Sequence, residues 1–182
     1  VALAIQKAFP CKKVGEAVAR DGVAVLNADD PLVRRMRRRC SGDIVWFSIA
    51  APGSRVREFI DDHCRRGGRA IVLEPTDRGD MIVIRHGRRS MQLAWTHLLP
   101  ATLGGTAMFN VANAMAAAGA AFALGTGLHE IRQGLRTFST SYYLSPGRMN
   151  LVDVHNVEVI VDYCHNAPGM RVLGDFVERY AA

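Results

Sequence analysis

Asp162, His165 and Asn166 follow directly on the apolar run Val159-Ile160-Val161 near the end of the chain. A strand that ends in polar groups just before a helix is how open α/β sheets present a ligand. An aspartate in that position can hold a ribose hydroxyl. Just upstream, Arg148 follows the Pro146-Gly147 turn, and its planar fork of donors suits a phosphate. Further upstream, Asn110 and Asn113 stand three residues apart in an alanine-rich segment, so a helix puts both on one face. Each amide offers a donor and an acceptor together, which is what the edge of an adenine ring demands. Nucleotide binding is the chemistry these residue types share. Each also has a plainer explanation: packing of an amide against a neighbouring backbone, a surface arginine after a loop, or a histidine with a structural role.

The elements that must position these residues read as α/β alternation. Val23 to Asn27 and Asp43 to Ser48 are short apolar strands, separated by a helix from Leu32 to Arg39 that Asp29-Asp30-Pro31 starts. Ser54 to Arg66 is a second helix, closed by Gly67-Gly68. Ala70 to Leu73, Met81 to Ile84 and Met91 to Ala94 follow as strands, the last two joined by a His86-Gly87 hairpin turn. Here the pattern changes to a small antiparallel insertion. A long helix from Met108 to Leu124 and a shorter one from Leu128 to Phe138 come next. Strands Met149 to Val154 and Val157 to Val161 flank a His155-Asn156 turn. A last helix, opened by Pro168, carries Val172, Leu173, Phe176 and Val177 on one side. The fold class expected is therefore α/β, a mostly parallel sheet flanked by helices, with that insertion and an incomplete C-terminal α/β unit. The boundary between two domains, 1–145 and 146–182, is placed near Tyr143 to Pro146.

Composition narrows the partners. The net charge of +6 comes with clustered arginines: Arg34 to Arg39, then Arg65, Arg66 and Arg69, then Arg85, Arg88 and Arg89. Such clusters are solvated faces or sites for polyanions. None has interleaved aromatics, which disfavours nucleic acid as a partner. No run of eighteen apolar residues exists, so no membrane span is expected, and no secretory signal opens the chain. Four scattered cysteines without C-x-x-C spacing suit a reducing cytoplasm. No metal-ligand set is assigned, because the adjacent pairs His63-Cys64 and Cys164-His165 point to opposite faces if they lie on a strand.

Phe109-Asn110-Val111-Ala112-Asn113-Ala114, Pro146-Gly147-Arg148 and Asp162-Tyr163-Cys164-His165-Asn166 together resemble the Mur ligase superfamily of ATP-dependent amide-bond-forming enzymes. Leu26-Asn27-Ala28-Asp29-Asp30-Pro31 resembles a recurring landmark of its central domain, although its residues are also ordinary cap and turn formers. Phe109 stands where many of these ligases have histidine, a departure that points to the cyanophycin branch. Cys164 replaces the usual alanine, and Ala167-Pro168 inverts the common order. The resemblance implies the latter part of a central ATP-binding domain followed by the start of a C-terminal domain. It further implies Asn110 and Asn113 on the adenine side, Arg148 reaching the nucleotide as domains close, Asp162 on ribose, and His165 and Asn166 lining the crevice. ATP and Mg2+ are the implied cofactors, and arginine and an acidic polymer, poly-aspartate, the implied partners. Enzymes of this kind commonly assemble from several subunits, so a homo-oligomer is expected at full length. No catalytic residue is assigned, and no role is given to Lys7, Lys12 or Lys13. The superfamily's phosphate loop, ending in Gly-Lys-Thr or Gly-Lys-Ser, does not occur in these 182 residues, so the chain alone is expected to be inert. Two further readings stay open: another ligase of the superfamily, acting on a peptidoglycan precursor or a folate, and a non-catalytic remnant that binds nucleotide or polyanion.

Overall fold

Apolar residues alternate along the central strands, and the alternation builds two separate cores. The computed structural model describes residues 3–5 and 18–181; the lysines at 7, 12 and 13 and Cys11 lie outside that range. Six strands form one sheet in chain order: β1 (Leu3–Ile5), β2 (Val23–Asn27), β3 (Asp43–Ser48), β4 (Arg69–Thr76), β5 (Gly79–His86) and β6 (Arg89–Trp95). The first four are parallel, and β4, β5 and β6 pair antiparallel. The antiparallel strands therefore extend the main sheet at its edge.

Because successive side chains on a strand point to opposite faces, Val25, Val45 and Ile71 fall on one side of the sheet, and Ala24, Trp46 and Ala70 on the other. The second side is covered by α1 (Pro31–Met36), continued by a 3-10 turn at Arg37–Arg39, and by α2 (Arg55–Arg65). Their starts are set locally. Asp30 accepts from the backbone N–H of Leu32 at 2.7 Å, and Ser54 from that of Arg57 at 3.2 Å. The first side is covered by α3 (Met108–Ala123) and α4 (Leu128–Thr137). α3 is rich in alanine because it lies close to the sheet. A Cβ on Gly119 would sit 3.0 Å from Val25 and 3.5 Å from Val45. α4 is tied to the sheet edge by Arg132, which donates to the carbonyls of Leu93 at 3.0 Å and Gln92 at 2.6 Å.

A hairpin of β7 (Asn150–Val154) and β8 (Val157–Val161) follows, then α5 (Ala167–Tyr180). His155 and Asn156 both have positive φ (52° and 63°), the geometry of a two-residue hairpin turn that matches the twist of its strands. The unit packs on the start of α3 through Ala107, Met149 and Phe176, with Phe109 edge-on to Phe176 at 6.2 Å. On α5 only Phe176 is fully buried; Val172 and Val177, read as lying on the same side of the helix, stay exposed. The hairpin turns Val152, Val154, Val157, Val159 and Val161 to one exposed face.

Sequence reading gave no sign of one polar cluster. The Arg57 side chain is buried between α2 and β4, donating to the Leu73 carbonyl at 2.8 Å and to Glu74. Glu74 also accepts from Arg85 at 2.7 Å, and Arg85 reaches Asp61. Buried charge is tolerated only when it is paired and hydrogen-bonded. Glu74 pairs with the buried Arg57 and is shared with Arg85, which in turn pairs with Asp61, while the Nε of Arg57 has no hydrogen-bond partner among the described residues.

Candidate functional site

The polar ends of the strands and the start of α3 open onto a cleft of about 970 Å³, within the size range of small-molecule sites. Asn110, Asn113, Arg148, Asp162, His165 and Asn166 all line it. Two stretches well separated in the chain thus meet at one cavity, and Asn27, at the end of β2, joins them.

The two asparagines differ in what they offer. Asn110 is spent on structure: its amide N–H donates to the Ala101 carbonyl at 2.7 Å, and its oxygen accepts from Asn113 at 3.1 Å. Asn113 is exposed, with its carbonyl oxygen and second N–H pointing away from that bond. Of the pair, Asn113 is the exposed one, and Asn110 holds it through that bond.

Arg148 and Asp162 belong to one stitched unit. The Asp162 carboxylate accepts from the Met149 N–H at 3.0 Å, and the Tyr163 N–H donates to the Gly147 carbonyl at 2.7 Å. One oxygen of Asp162 is therefore used to hold the turn, and the other accepts from no described residue. Gly147 (φ 69°) and Met149 (φ 50°) both sit in the left-handed region, which is why glycine fits the first position. Arg148 between them is exposed, and no described residue forms an ion pair with its guanidinium.

Asn150 holds this turn, and nothing in the sequence marked it. It is buried, with its oxygen accepting from the Gly147 N–H at 2.7 Å and its amide donating to the carbonyls of Thr140 at 2.6 Å and Ser145 at 2.9 Å. Its position at the first residue of a strand, three residues after Gly147, is the one available signal. Tyr163 is a second omission. It lines the cleft, is 69% exposed, and packs on His165 at 5.1 Å between centroids, so a flat aromatic surface is available to a ligand.

His165 is exposed, its Nδ1 3.1 Å from the Tyr163 carbonyl oxygen. Donation from that nitrogen leaves Nε2 an acceptor in the neutral ring. Asn166 is foremost the N-cap of α5, accepting from the Gly169 N–H at 2.9 Å. Cys164 packs on the same turn, where a Cβ at Gly169 would sit 3.0 Å from its sulfur. Asn27 and Asp29, read as turn residues, are so placed: the Asn27 oxygen accepts from the Asp29 N–H at 2.8 Å, and Asp29 accepts from Ser48 at 2.5 Å and the Ile49 N–H at 2.9 Å.

Among the described residues no group of three or more His, Cys, Asp or Glu is placed to hold a metal ion. Cys40, Cys64 and Cys164 are free thiols, and burial pushes Cys64 above its ordinary pKa. No described helix is long and apolar enough to cross a membrane.

Comparison with known proteins gives 41% identity over 167 residues, 92% of this chain, with the cyanophycin synthetase of Crocosphaera subtropica. The cyanophycin synthetase of Synechocystis sp. is 42% identical over the same share. The chain resembles a segment of cyanophycin synthetase. It spans 18% of the length of each of these two relatives. The UDP-N-acetylmuramoyl-L-alanyl-D-glutamate–2,6-diaminopimelate ligase of Gloeobacter violaceus is 33% identical over 156 residues, 85% of the chain and 27% of that enzyme. This second match supports the Mur ligase superfamily, as do the cyanophycin synthetases. No family model matches the chain.

Proposed function

We propose that the chain is part of an ATP-dependent ligase that joins a carboxylate to an amine, and that its cleft is the nucleoside end of the ATP site. The observation that carries the reading is the convergence of Asn113, Arg148 and Asp162 on one cavity. Similarity to cyanophycin synthetase over 92% of the chain supports it. In this reading residues 1–145 are the latter part of the central domain and 146–182 begin the C-terminal one. Asn113 presents its amide to the adenine edge, and Tyr163 supplies a face for the ring. The free oxygen of Asp162 accepts a ribose hydroxyl. Arg148, held by Asn150 and Asp162, places a permanent positive charge where phosphates carry negative charge. His165 and Asn166 shape the wall, Asn166 chiefly by starting α5.

Bound ATP supplies the phosphoryl group that turns the substrate carboxylate into an acyl phosphate, which the amine then displaces with release of ADP and phosphate. The residues described give no set of ligands for Mg2+, so none is assigned a role toward it. The substrates proposed are poly-aspartate and the α-amino group of arginine, the setting is the cytoplasm, and the full-length enzyme is a homo-oligomer. Phosphoryl transfer depends on positioning and charge neutralisation of the transferred group. With no Gly-Lys-Thr or Gly-Lys-Ser in its sequence, the chain alone turns over no ATP.

The test is arginine-dependent ADP release on a poly-aspartate primer. It compares the chain alone with the chain joined to the upstream, phosphate-loop half of a cyanophycin synthetase. Activity only in the joined protein is the expected result. Turnover by the chain alone overturns the claim of inertness, and silence in both overturns the substrate assignment. The diaminopimelate ligase relative favours one second reading, a peptidoglycan-precursor ligase, which diaminopimelate in place of arginine would reveal.

A further inference from the structure

The three arginine clusters lie far apart in the sequence, yet the topology brings them to one end of the sheet. Strands β2, β3 and β4 are parallel, so the segments preceding them share an end. These segments carry Arg20, then Arg37 and Arg38, then Arg65 and Arg66. Strand β5 runs back against β4, pairing His86 with Arg69, and the turn carrying Arg88 leads to Arg89 opposite His86. Backbone hydrogen bonds close the row: Asp43 N–H to the Gly22 carbonyl, and Gly87 N–H to the Gly68 carbonyl, both at 3.0 Å. The helical segments converge as well, since the charges of Arg37 and Arg66 both act on His63.

Charge at this end is only partly answered. Asp62 pairs with Arg65 and Arg66, and Asp43 with Arg69 at 3.2 Å, while Asp21 stands beside Arg20. Arg37, Arg38, Arg88 and Arg89 are exposed, and no described residue forms an ion pair with them. Five strands at about 4.8 Å spacing make a row roughly 19 Å wide, the length of about six residues of extended peptide. The segments named contain no phenylalanine, tyrosine or tryptophan, so the stacking platform used for single-stranded nucleic acid is missing. The cleft opens elsewhere, at the other end of β2, where Asn27 lines it.

We infer that this end of the sheet is a docking surface for an acidic polypeptide, separate from the cleft. Guanidinium groups engage carboxylates through two parallel donors, and an extended acidic chain lying along the row meets several in turn. The choice of an acidic polypeptide over a nucleic-acid duplex rests on the ligase reading, in which poly-aspartate is the carboxylate partner.

The experiment measures fluorescence anisotropy of a labelled ten-residue poly-aspartate peptide with the whole chain, at low and at physiological salt. Arg38→Glu with Arg88→Glu weakens binding by about tenfold or more. Arg78→Glu with Arg136→Glu, an equal change in net charge placed elsewhere, weakens it by less than about threefold. Equal losses in the two pairs reduce the effect to net charge and overturn the proposal, as does absence of peptide binding by the unsubstituted chain. Tighter binding of a DNA duplex than of the peptide at matched charge overturns it in favour of nucleic acid. Nucleotide binding is measured on the same proteins. Retained nucleotide binding with no peptide binding sinks this inference alone, whereas the reverse sinks the ATP-site reading alone.

Discussion

Replacing Asp162 with asparagine separates the two jobs of that side chain. One carboxylate oxygen accepts from the Met149 N–H at 3.0 Å and holds the arginine turn; the other is assigned to ribose. Asparagine keeps the shape and one acceptor oxygen, so the bond to Met149 survives as a neutral one. A charge-assisted hydrogen bond is roughly twice as strong as a neutral one, so the stability lost is about 1 kcal/mol, or roughly 2–4 °C in Tm. On the ligand side the substitution removes a charged acceptor and presents an N–H₂ donor. Hydrogen bonds to charged groups contribute about 1.5–3 kcal/mol, so affinity falls roughly 10- to 150-fold. Calorimetric titration with unmodified ADP and with 2′-deoxy- and 3′-deoxy-ADP is the assay. The parent chain prefers ADP over at least one deoxy analogue, and D162N binds all three alike. A variant that melts within a few degrees of the parent and binds ADP within threefold refutes the reasoning, and Asp162 is then only a brace. Absence of ADP binding by the parent chain at millimolar concentration refutes it more completely.

Asn150→Ala removes three hydrogen bonds of 2.9 Å or less from a buried site; at about 1 kcal/mol net each, urea denaturation should show a loss of roughly 3 kcal/mol. Arg57→Ala leaves Glu74 with Arg85 alone and the Leu73 carbonyl without its side-chain donor, a change of about 3–5 kcal/mol visible in the same titration. Burial first, then the charges of Arg37 and Arg66, hold the His63 imidazole below its ordinary 6.5, with Nε2 buried and unpartnered among the described residues. The unfolded chain therefore binds the extra proton, and stability is full above pH 6.5 and declines as pH falls through 6.5 toward the lower folded value. His63→Gln should flatten that slope in Tm measured from pH 8 to pH 5.

The elements that sequence made legible are those with a strong period or a strong terminus. Asp30 and Ser54 cap their helices as their types suggest, and the alternating apolar residues of β2, β3 and β4 face the layers that alternation requires. The six candidate residues meet at one cleft because the three motifs that carry them sit where strands or helices begin or end. What stayed hidden depends on contacts across the chain. Arg57 reads as one more helix arginine until Glu74 and Leu73 arrive from β4, and Asn150 reads as one more strand residue until Thr140 and Ser145 close on it. The final helix carries Val172, Leu173, Phe176 and Val177 on one side, but only Phe176 is fully buried, with Leu173 packed partly against it. Periodicity reports which face is apolar and is silent on what covers it.

The stitching of Gly147 to Tyr163 and of Met149 to Asp162 makes the arginine turn and the aspartate strand one rigid jaw. Asn113, on α3, belongs to the other. Between the jaws lies a small greasy bearing, Ala107 and Phe109 against Met149 and Phe176, and a contact so limited invites relative motion. If the cleft holds a nucleotide as proposed, one caught by either jaw then meets the other at the high local concentration of a tethered pair. Its grip becomes a matter of leverage: a few degrees of rotation about the bearing would engage or release Arg148 and Asp162 together, never one without the other.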